Sequence, residues 1–240
     1  MTKIAEIMYL KNLGGDGQIH ALNKPFSDLN CGNYLIDIGQ IISLLPPPPG
    51  KLLDLGAGSC WTSVFFAKRG YDVTAQDISE DMLKLAEKNR SLYNVDKLRF
   101  ILSDYEQLKL NEEFDYAVFF DSLHHAVDPQ AAINSVFKAL KPGGICLTVE
   151  PGKGHSKLEQ TIRVVEKMGV TEKDMPPSLI IKLGRNAGFR KMKVYLRQNN
   201  KPIEILPFFS RGSFIGILKL ALRLLPGIGT ARTNITMMIK

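Results

Sequence analysis

The sequence predicts an α/β fold in which a parallel β-sheet carries α-helices on both faces, and three observations support this prediction. The chain has 240 residues, 45% of them hydrophobic, which is enough for one large domain with a well-buried core. From residue 51 onwards, short apolar runs typical of buried strands alternate with helical patterns. The three cysteines have no paired spacing, so neither a disulfide framework nor a metal site is predicted.

Residues 1–50 are predicted to form an N-terminal helical cap. Their strongly periodic part is 34–45, where apolar residues recur on one helical face. Four consecutive prolines, at 46–49, then end this helix, because proline lacks the amide hydrogen that a helix interior needs. We interpret the proline run as a rigid connector to the first strand rather than as a ligand for a proline-binding module.

Residues 51–150 are predicted to form the core of the sheet. The apolar runs predict five strands, at 52–55, 71–76, 98–102, 114–120 and 145–149. Three helices are predicted between them, each with a start or stop signal. The first runs over 62–69 and ends at Gly70, the second follows the N-cap Ser79, and the third opens at Pro129 after the cap Asp128. The turn 141–144, Lys-Pro-Gly-Gly, precedes the fifth strand.

The last 90 residues depart from strict alternation. Residues 151–177 are predicted to form a lid containing a helix over 157–168. The C-terminal segment is 178–240. A helix over 177–187 leads into it, and strands are predicted over 191–198 and 234–239. The whole chain, 1–240, is interpreted as a single domain.

The formal net charge of +7 is unevenly distributed, with a balance of −3 over residues 1–184 and +10 over residues 185–240. The basic tail includes an almost wholly apolar run at 212–225, predicted to form a helix with Lys219 and Arg223 one turn apart. This run is shorter than the roughly 20 residues that span a bilayer. It either lies at a membrane surface with its basic groups towards anionic headgroups, or packs between the last two strands in a pocket or dimer contact.

The most informative segment is a strand that runs into a glycine-rich turn, Leu52-Leu53-Asp54-Leu55-Gly56-Ala57-Gly58. Glycines at such a turn let a ligand approach the backbone and leave amide groups facing it. Dinucleotide sites share this loop, but their third glycine falls on Trp61 here, and a tryptophan does not fit that position.

Two carboxylates narrow the ligand class. Asp54 precedes the glycines, where it can lie near a cationic amine. Asp77 closes the second strand 19 residues after Gly58, where it can accept hydrogen bonds from two vicinal ribose hydroxyls. A neutral ribose with a zwitterionic amino-acid tail fits these residues better than a pyrophosphate does. The ligand suggested is S-adenosylmethionine.

Further motifs follow in order along the chain. Asp104 and Tyr105 come after the third strand, the run Asp121-Ser122-Leu123-His124-His125 ends the fourth, and the turn at 141–144 precedes the fifth. With this ordered set, residues 51–150 resemble class I S-adenosylmethionine-dependent methyltransferases of the small-molecule branch. The resemblance implies a Rossmann-like fold with a mostly parallel seven-stranded sheet, an antiparallel last strand and helices on both faces.

The resemblance also implies which residues bind the cofactor S-adenosyl-L-methionine. Asp77 would bind the ribose, and Asp104 would meet the adenine amine. The expected cofactor-binding residues are Asp54, Leu55, Gly56, Ala57, Gly58, Asp77, Ile78, Asp104, Tyr105 and Asp121. Cys60 departs from the family pattern, because it occupies the position of a third glycine. The alternative to a structural role is that Cys60 acts as a nucleophile, although nothing beside it in sequence would activate it as a thiolate.

The fourth motif lacks the Asn-Pro-Pro-aromatic run of amino-group methylases, which favours an oxygen or carbon acceptor. Positioning supplies most of the catalysis in methyl transfer, and a base is needed only for a poor nucleophile. The candidate catalytic bases are His124 and His125, after the fourth strand, and His155, in a glycine-rich run past the fifth. For each histidine, the alternative is a structural role in the wall of the cofactor pocket.

Residues 20–34 and the lid 151–177 are expected to shape the acceptor pocket. The flanks also resemble, more weakly, bacterial methyltransferases of surface-polysaccharide assembly, which implies a sugar hydroxyl in a glycan or glycan precursor as the acceptor. The alternatives are a lipid or quinone-like small molecule, and a non-catalytic module that docks to a membrane or partner.

The partners expected are therefore a small-molecule or glycan acceptor, with peripheral membrane contact through residues 212–225. Nucleic acid is disfavoured, because the tail lacks a repeated base-stacking aromatic pattern. A cytoplasmic location is expected, because residues 1–10 contain no apolar core of signal-peptide length.

Overall fold

The computed structural model describes residues 3–197 and 233–240. Two helices precede the sheet, α1 (Lys3–Leu22) and α2 (Cys31–Leu44). The sequence predicted α2 three residues short at its start, and within the predicted helical cap it gave no bounds for α1. The reason is that α1 has little amphipathic periodicity and is kinked at Gly14, where φ is 72°. Its buried residues Leu10 and Ala21 pack against α4 (Glu80–Tyr93) near Leu85.

Seven strands form one sheet, in the order β3-β2-β1-β4-β5-β7-β6. Strands β1 to β5 are parallel to one another, and β7 runs antiparallel between β5 and β6. The prediction of a mostly parallel seven-stranded sheet with an antiparallel last strand is confirmed. The strands are β1 (Lys51–Leu55), β2 (Asp72–Asp77), β3 (Leu98–Leu102), β4 (Phe114–Phe120), β5 (Leu140–Pro151), β6 (Lys191–Leu196) and β7 (Thr233–Ile239).

Strand β5 is longer than the predicted 145–149. It begins at Leu140, which pairs with Phe114, and it includes the segment 141–144 that was expected to be a turn. The register between β4 and β5 shifts at this point, so the glycines produce an irregular strand rather than a separate turn. The predicted helix 212–225 lies outside the described residues.

Four more α-helices complete the described fold. Three of them match the predicted bounds within one residue, and the fourth begins at Glu159, two residues after the predicted start at 157. The four helices are α3 (Trp61–Arg69), α5 (Pro129–Ala139), α6 (Glu159–Met168) and α7 (Pro177–Ala187). Asp128 caps α5 by accepting from the backbone N–H groups of Gln130 and Ala131, as predicted. Ser79 caps α4 in the same way, accepting from the backbone N–H of Met82. Helices on both faces of the sheet are confirmed.

Two buried clusters lie on opposite faces of the sheet. Alternate residues of β1 point to different clusters, with Leu52 facing α2 and α3 and Leu53 facing α5 and α7. A strand buried on both faces reads as a continuous apolar run, and this is why the pattern at 52–55 predicted it. Among the described residues, no helix combines the length and apolar character needed to cross a membrane.

Strands β2 and β3 lie on one side of β1 in the sheet, and β4 and β5 lie on the other side. The strand order therefore reverses at β1, and open parallel sheets bind ligands outside the carboxyl ends of the strands at such a point.

Candidate active site

A cavity of about 340 Å³ lies at the carboxyl ends of β1, β2 and β4, under helix α1. This volume is within the usual range for pockets that bind small molecules and cofactors. Most of the lining residues come from helix α1, from α2 and the start of α3, from the loop after β1, from the ends of β2 to β4, and from the lid. Those used below are Lys3, Glu6, Tyr34, Asp54, Gly56, Ala57, Gly58, Trp61, Asp77, Ile78, Asp104, Tyr105, Phe120, Asp121, His125 and Glu172.

The glycine-rich turn forms the cavity floor. Gly56 and Gly58 have φ angles of 64° and 55°, in the left-handed region that favours glycine. A Cβ on Gly56 would lie 2.7 Å from the Cβ of Ser122, so a side chain there would collide with the loop after β4. Of the expected cofactor residues, Leu55 is the one that lies outside the cavity lining. It is fully buried, and its carbonyl accepts a hydrogen bond from the Ser122 hydroxyl at 2.7 Å.

Asp54 is buried at the end of β1. One of its carboxylate oxygens accepts hydrogen bonds from the hydroxyls of Thr62 and Ser63, each at 2.6 Å. Burial raises the pKa of Asp54 to about 6, although these two hydrogen bonds oppose the shift. A cation placed against this carboxylate would stabilise its ionised form and bind well to it.

Asp77 ends β2 and ties the turn to α4. Its Oδ2 accepts from the backbone N–H of Gly58 at 2.8 Å, and its Oδ1 accepts from that of Ser79 at 2.8 Å. Burial raises the pKa of Asp77, and these backbone hydrogen bonds oppose the shift. Each carboxylate oxygen has a second lone pair. Asp77 can therefore accept further hydrogen bonds from a ligand while it holds the loop.

Asp104 and Tyr105 follow β3 and also line the cavity, and a Cβ on Gly56 would lie 3.4 Å from the Tyr105 ring. Asp104 accepts from the backbone N–H of Glu106 at 2.9 Å and is ion-paired with Lys3 of α1. The same Lys3 ammonium lies 2.9 Å from Glu106. The Tyr105 hydroxyl donates to the carbonyl of Ser122 at 3.0 Å. The sequence did not indicate Lys3, whose partners are about 100 residues away in the chain.

Asp121 follows β4 with a φ of 47°, an uncommon value for a residue with a side chain. It lies 3.8 Å from the guanidinium of Arg197, which makes a bidentate pair with the buried carboxylate of Asp37 at 2.8 and 2.6 Å. Burial raises the pKa of Asp121, and Arg197 opposes the shift. Neither Asp37 nor Arg197 was predicted to act near the site.

The three candidate histidines have different environments. His125 lines the cavity. Neither His124 nor His155 is among the described residues that line it. His124 is buried with its Nδ1 2.7 Å from Glu150, and burial lowers its pKa to about 3. The pKa of His125 is raised to about 9, because the charges of Glu6 and Glu172 outweigh its burial.

The sequence missed Glu172, which connects these histidines. Glu172 lies in the lid, 2.7 Å from Nε2 of His155 and 3.4 Å from Nε2 of His124. Burial works against its charge, but the hydrogen bond from His155 and the neighbouring rings lower the pKa of Glu172. The lid had been indicated as a segment that shapes the site, but no pattern singled out this carboxylate within it.

Three aromatic side chains that line the cavity pack together and form what we call the aromatic wall. Trp61 packs edge-on against Phe120 with ring centroids 5.2 Å apart, and Tyr34 lies 5.6 Å from Trp61 and 6.0 Å from Phe120. These three residues come from α3, β4 and α2, so their proximity follows from the fold and not from a sequence motif.

Cys60 is buried beside the turn, with a φ of 61°. This left-handed conformation explains why glycine suits the position. Burial raises the pKa of the Cys60 thiol well above its ordinary value, and the neighbouring carboxylate of Asp54 adds to the shift. The thiol is therefore kept protonated, which argues against a nucleophilic role.

Comparison with known proteins agrees with this geometry. Residues 53–148 match the family described as "Methyltransferase domain". The ubiquinone biosynthesis O-methyltransferase of Psychrobacter arcticus is 33% identical over 129 residues, covering 52% of this chain and 50% of that protein. A demethylmenaquinone methyltransferase of Clavibacter sepedonicus is 31% identical over 126 residues, covering 52% and 51%. The chain thus spans about half the length of these curated relatives.

Solved structures share the fold at lower identity. Phosphoethanolamine N-methyltransferase 2 of Haemonchus contortus, solved with S-adenosyl-L-methionine, has a TM-score of 0.67 and 20% identity over 100% of this chain and 60% of that one. A methyltransferase solved with the Haloferax volcanii activator Trm112 has a TM-score of 0.63 and 16% identity, over 87% of this chain and 90% of that one.

Proposed function

We propose that this chain is a class I S-adenosylmethionine-dependent methyltransferase that methylates a hydroxyl group on a small, ring-containing acceptor. The observation that carries the proposal is the single cavity in which the glycine-rich turn, a buried pair of carboxylates, an aromatic wall and a polar wall meet. The methyltransferase family match covers the turn and both carboxylates.

The residues present fit S-adenosylmethionine, which supplies a methyl group on a sulfonium carbon when bound. Asp54 would hold the cationic amine, because its carboxylate lines the cavity and gains from a positive neighbour. Gly56 and Gly58 leave the floor free of side chains. Asp77 would accept the ribose hydroxyls through its remaining lone pairs, and Ile78 beside it lines the same part of the cavity.

Asp104 and Tyr105 would flank the adenine. The Tyr105 ring lines the cavity and packs edge-on against Phe119 at 5.6 Å, which fixes its plane. Asp104 retains acceptor capacity beyond its contacts with Lys3 and Glu106. Since Lys3 lies on α1, the N-terminal helix would close over the adenine side of the cofactor.

The acceptor would lie between the aromatic wall and the polar wall formed by Glu6, His125 and Glu172. Tyr34, Trp61 and Phe120 offer apolar surface to a flat ring. On the other side, the carboxylate of Glu172, with its lowered pKa, is ionised at neutral pH and accepts a hydrogen bond from an acceptor hydroxyl. Positioning of that hydroxyl would provide most of the rate enhancement.

His125 is the candidate of the three that would touch the acceptor, because it lines the cavity. A ring with a pKa of about 9 carries a proton at neutral pH, so it would orient an oxygen rather than take a proton from it. His124 and His155 would act through Glu172 and Glu150 as positioning residues.

Two acceptor classes compete. A quinone-like ring is favoured by the aromatic wall and by relatives whose names refer to ubiquinone and menaquinone biosynthesis. A sugar hydroxyl in a glycan is the second candidate, favoured by the three hydrogen-bonding side chains on the polar wall. Membrane contact through the apolar and basic residues 212–225 would suit a lipid-soluble quinone acceptor, and loss of liposome binding on deleting 210–229 would test it.

The test is incubation with methyl-labelled S-adenosylmethionine and two separate pools, one of extracted quinone precursors and lipids and one of fractionated glycans, followed by mass analysis of the products. We expect label on an oxygen of a ring compound from the first pool. Label on a sugar would select the second candidate. Cofactor binding without any labelled product would instead support the non-catalytic docking module.

A further inference from the structure

Three histidines and one glutamate converge beside the cavity. His124, His125 and Glu172 each offer one ligand atom, and these atoms lie within 4.8 Å of one another. His155 joins them through its Nε2, 2.7 Å from Oε2 of Glu172. The ring centroid of His124 lies 4.1 Å from that of His125 and 5.4 Å from that of His155. We call these four residues the histidine–glutamate cluster.

The neighbours of His124 determine which of its ring nitrogens carries a proton. Glu150 accepts hydrogen bonds from the backbone N–H groups of Ser122, Leu123 and His124, at 3.1, 2.8 and 3.2 Å. Burial raises the pKa of Glu150 to about 7, and these three donors oppose the shift because they favour the ionised carboxylate. The Nδ1 of His124 lies 2.7 Å from the same carboxylate and donates to its ionised form. In a neutral ring, this leaves Nε2 with a lone pair.

The same arrangement holds His125. Its Nδ1 lies 2.7 Å from the carbonyl oxygen of Thr171, which can only accept, so Nδ1 carries a proton here as well. Thr171 is itself fixed by its backbone N–H, which donates to Glu6 of α1 at 2.7 Å. A histidine that donates Nδ1–H to a carboxylate or a backbone carbonyl has the usual arrangement of a metal ligand that coordinates through Nε2, and His125 would release its second proton on coordination.

Two carboxylates, of Glu172 and Glu6, lie close to the imidazoles of the cluster. Nε2 of His124 lies 3.4 Å from Oε2 of Glu172, so a lone pair faces a carboxylate oxygen in a buried place. Glu6 adds a second carboxylate, 3.6 Å from Nδ1 of His125. Several imidazoles and a carboxylate form the ligand set of divalent first-row transition metals, whereas Mg²⁺ and Ca²⁺ prefer oxygen ligands.

We propose that the histidine–glutamate cluster binds one divalent transition metal ion of the zinc type, through imidazole nitrogens and the carboxylate of Glu172. Ligand atoms at about 2.1 Å from such an ion are about 3.4 Å apart in a tetrahedral site. Small side-chain rotations would therefore bring the cluster into coordination. The proposal concerns metal binding alone, and it stands whether or not the acceptor proposed above is correct.

The ion would have two consequences for the site. His155 and Glu172 belong to the lid, so coordination would join the lid to the end of β4. The backbone already makes this connection once, since the N–H of Lys173 donates to the carbonyl of His124 at 3.2 Å. Because His125 and Glu172 line the cavity, the ion would also place positive charge where the acceptor hydroxyl is expected.

The test uses Co²⁺ as a spectroscopic probe on the full, tag-free chain after treatment with a chelator. We expect one equivalent of Co²⁺ to bind and to give the visible absorption of a four- or five-coordinate ion. Glu172→Gln and His155→Gln should each lower the affinity at least tenfold. Glu166→Gln, on the exposed face of α6 in the same segment, is the matched control and should leave binding unchanged.

Three results would overturn the proposal. The first is no Co²⁺ binding by the folded chain. The second is unchanged affinity in both Glu172→Gln and His155→Gln, with circular dichroism showing that each variant is folded. The third is a thiolate-to-Co²⁺ charge-transfer band, which would place the ion at a cysteine. If Glu172→Gln does not fold, His155→Gln decides the matter, because His155 is partly exposed at the surface of the cluster.

Discussion

Asp77→Asn separates the structural role of this carboxylate from its role in cofactor binding. In the folded chain both oxygens of Asp77 accept backbone N–H groups, from Gly58 and Ser79, each at 2.8 Å. An asparagine side chain has the same shape, but it offers one acceptor oxygen and places an NH₂ group against the second N–H. A buried donor left without a partner costs about 1–3 kcal/mol, so the melting temperature should fall.

The same substitution should also weaken cofactor binding, and this effect is independent of the loss of folding stability. Hydrogen bonds to a charged group contribute about 1.5–3 kcal/mol each, and the proposed ribose contact loses at least one of them. That loss corresponds to roughly a 10- to 100-fold weaker binding of S-adenosylmethionine. The chain has a single tryptophan, Trp61, which lines the cavity, so its fluorescence reports the titration directly.

Asp72→Asn is the matched control, because Asp72 begins the same strand and pairs with Arg99 at the other end of the sheet. Its affinity for the cofactor should equal that of the unaltered chain. A folded Asp77→Asn variant that binds S-adenosylmethionine within twofold of the unaltered chain would exclude a role for this carboxylate in cofactor binding.

Three further predictions concern other residues. Because burial raises the pKa of Asp54 to about 6 and the cofactor amine favours the ionised carboxylate, affinity should fall as pH is lowered through 6, and calorimetry should find a flat profile in Asp54→Asn. An equally steep profile in that variant would contradict the assignment. Cys60→Ala should retain turnover in a labelled-methyl assay, since the thiol stays protonated; complete loss in a folded variant would revive the nucleophile. Arg197→Met leaves the buried Asp37 charge unpaired and should lower the urea unfolding free energy by about 3 kcal/mol or more, whereas Arg163→Met, from an exposed pair, should change it by less than about 1 kcal/mol. Equal losses in the two variants would exclude a special role for the Asp37 pair.

The sequence predicted well the strands and helix caps that depend on residues close together in the chain. Strands β3 and β4 were predicted with the observed ends, because short apolar runs there are bounded by polar residues. The caps Ser79 and Asp128 follow from rules that act over three residues. Helix α1 was missed because three glycines and a weak apolar stripe give it no periodic signal, and its contacts with α4 hold it in place.

The site was predictable where a motif is contiguous. The glycine-rich turn, Asp54 and Asp77 all line the cavity. In contrast, the contacts that join Lys3 to Asp104 and Arg197 to Asp37 link residues 101 and 160 positions apart, and no periodicity or spacing rule reaches that far. The partnership of His124 with Glu172 was missed for the same reason, so the histidines were found as candidates while their environments were not.

The cavity at the ends of β1, β2 and β4 is proposed to bind the cofactor of a methyl transfer. A calorimetric titration of the full chain with S-adenosylhomocysteine, the demethylated product, tests this proposal without turnover. We expect one binding site per chain, with affinity that is reduced in Asp77→Asn and unchanged in Asp72→Asn. Absence of binding by the folded chain would contradict the proposal.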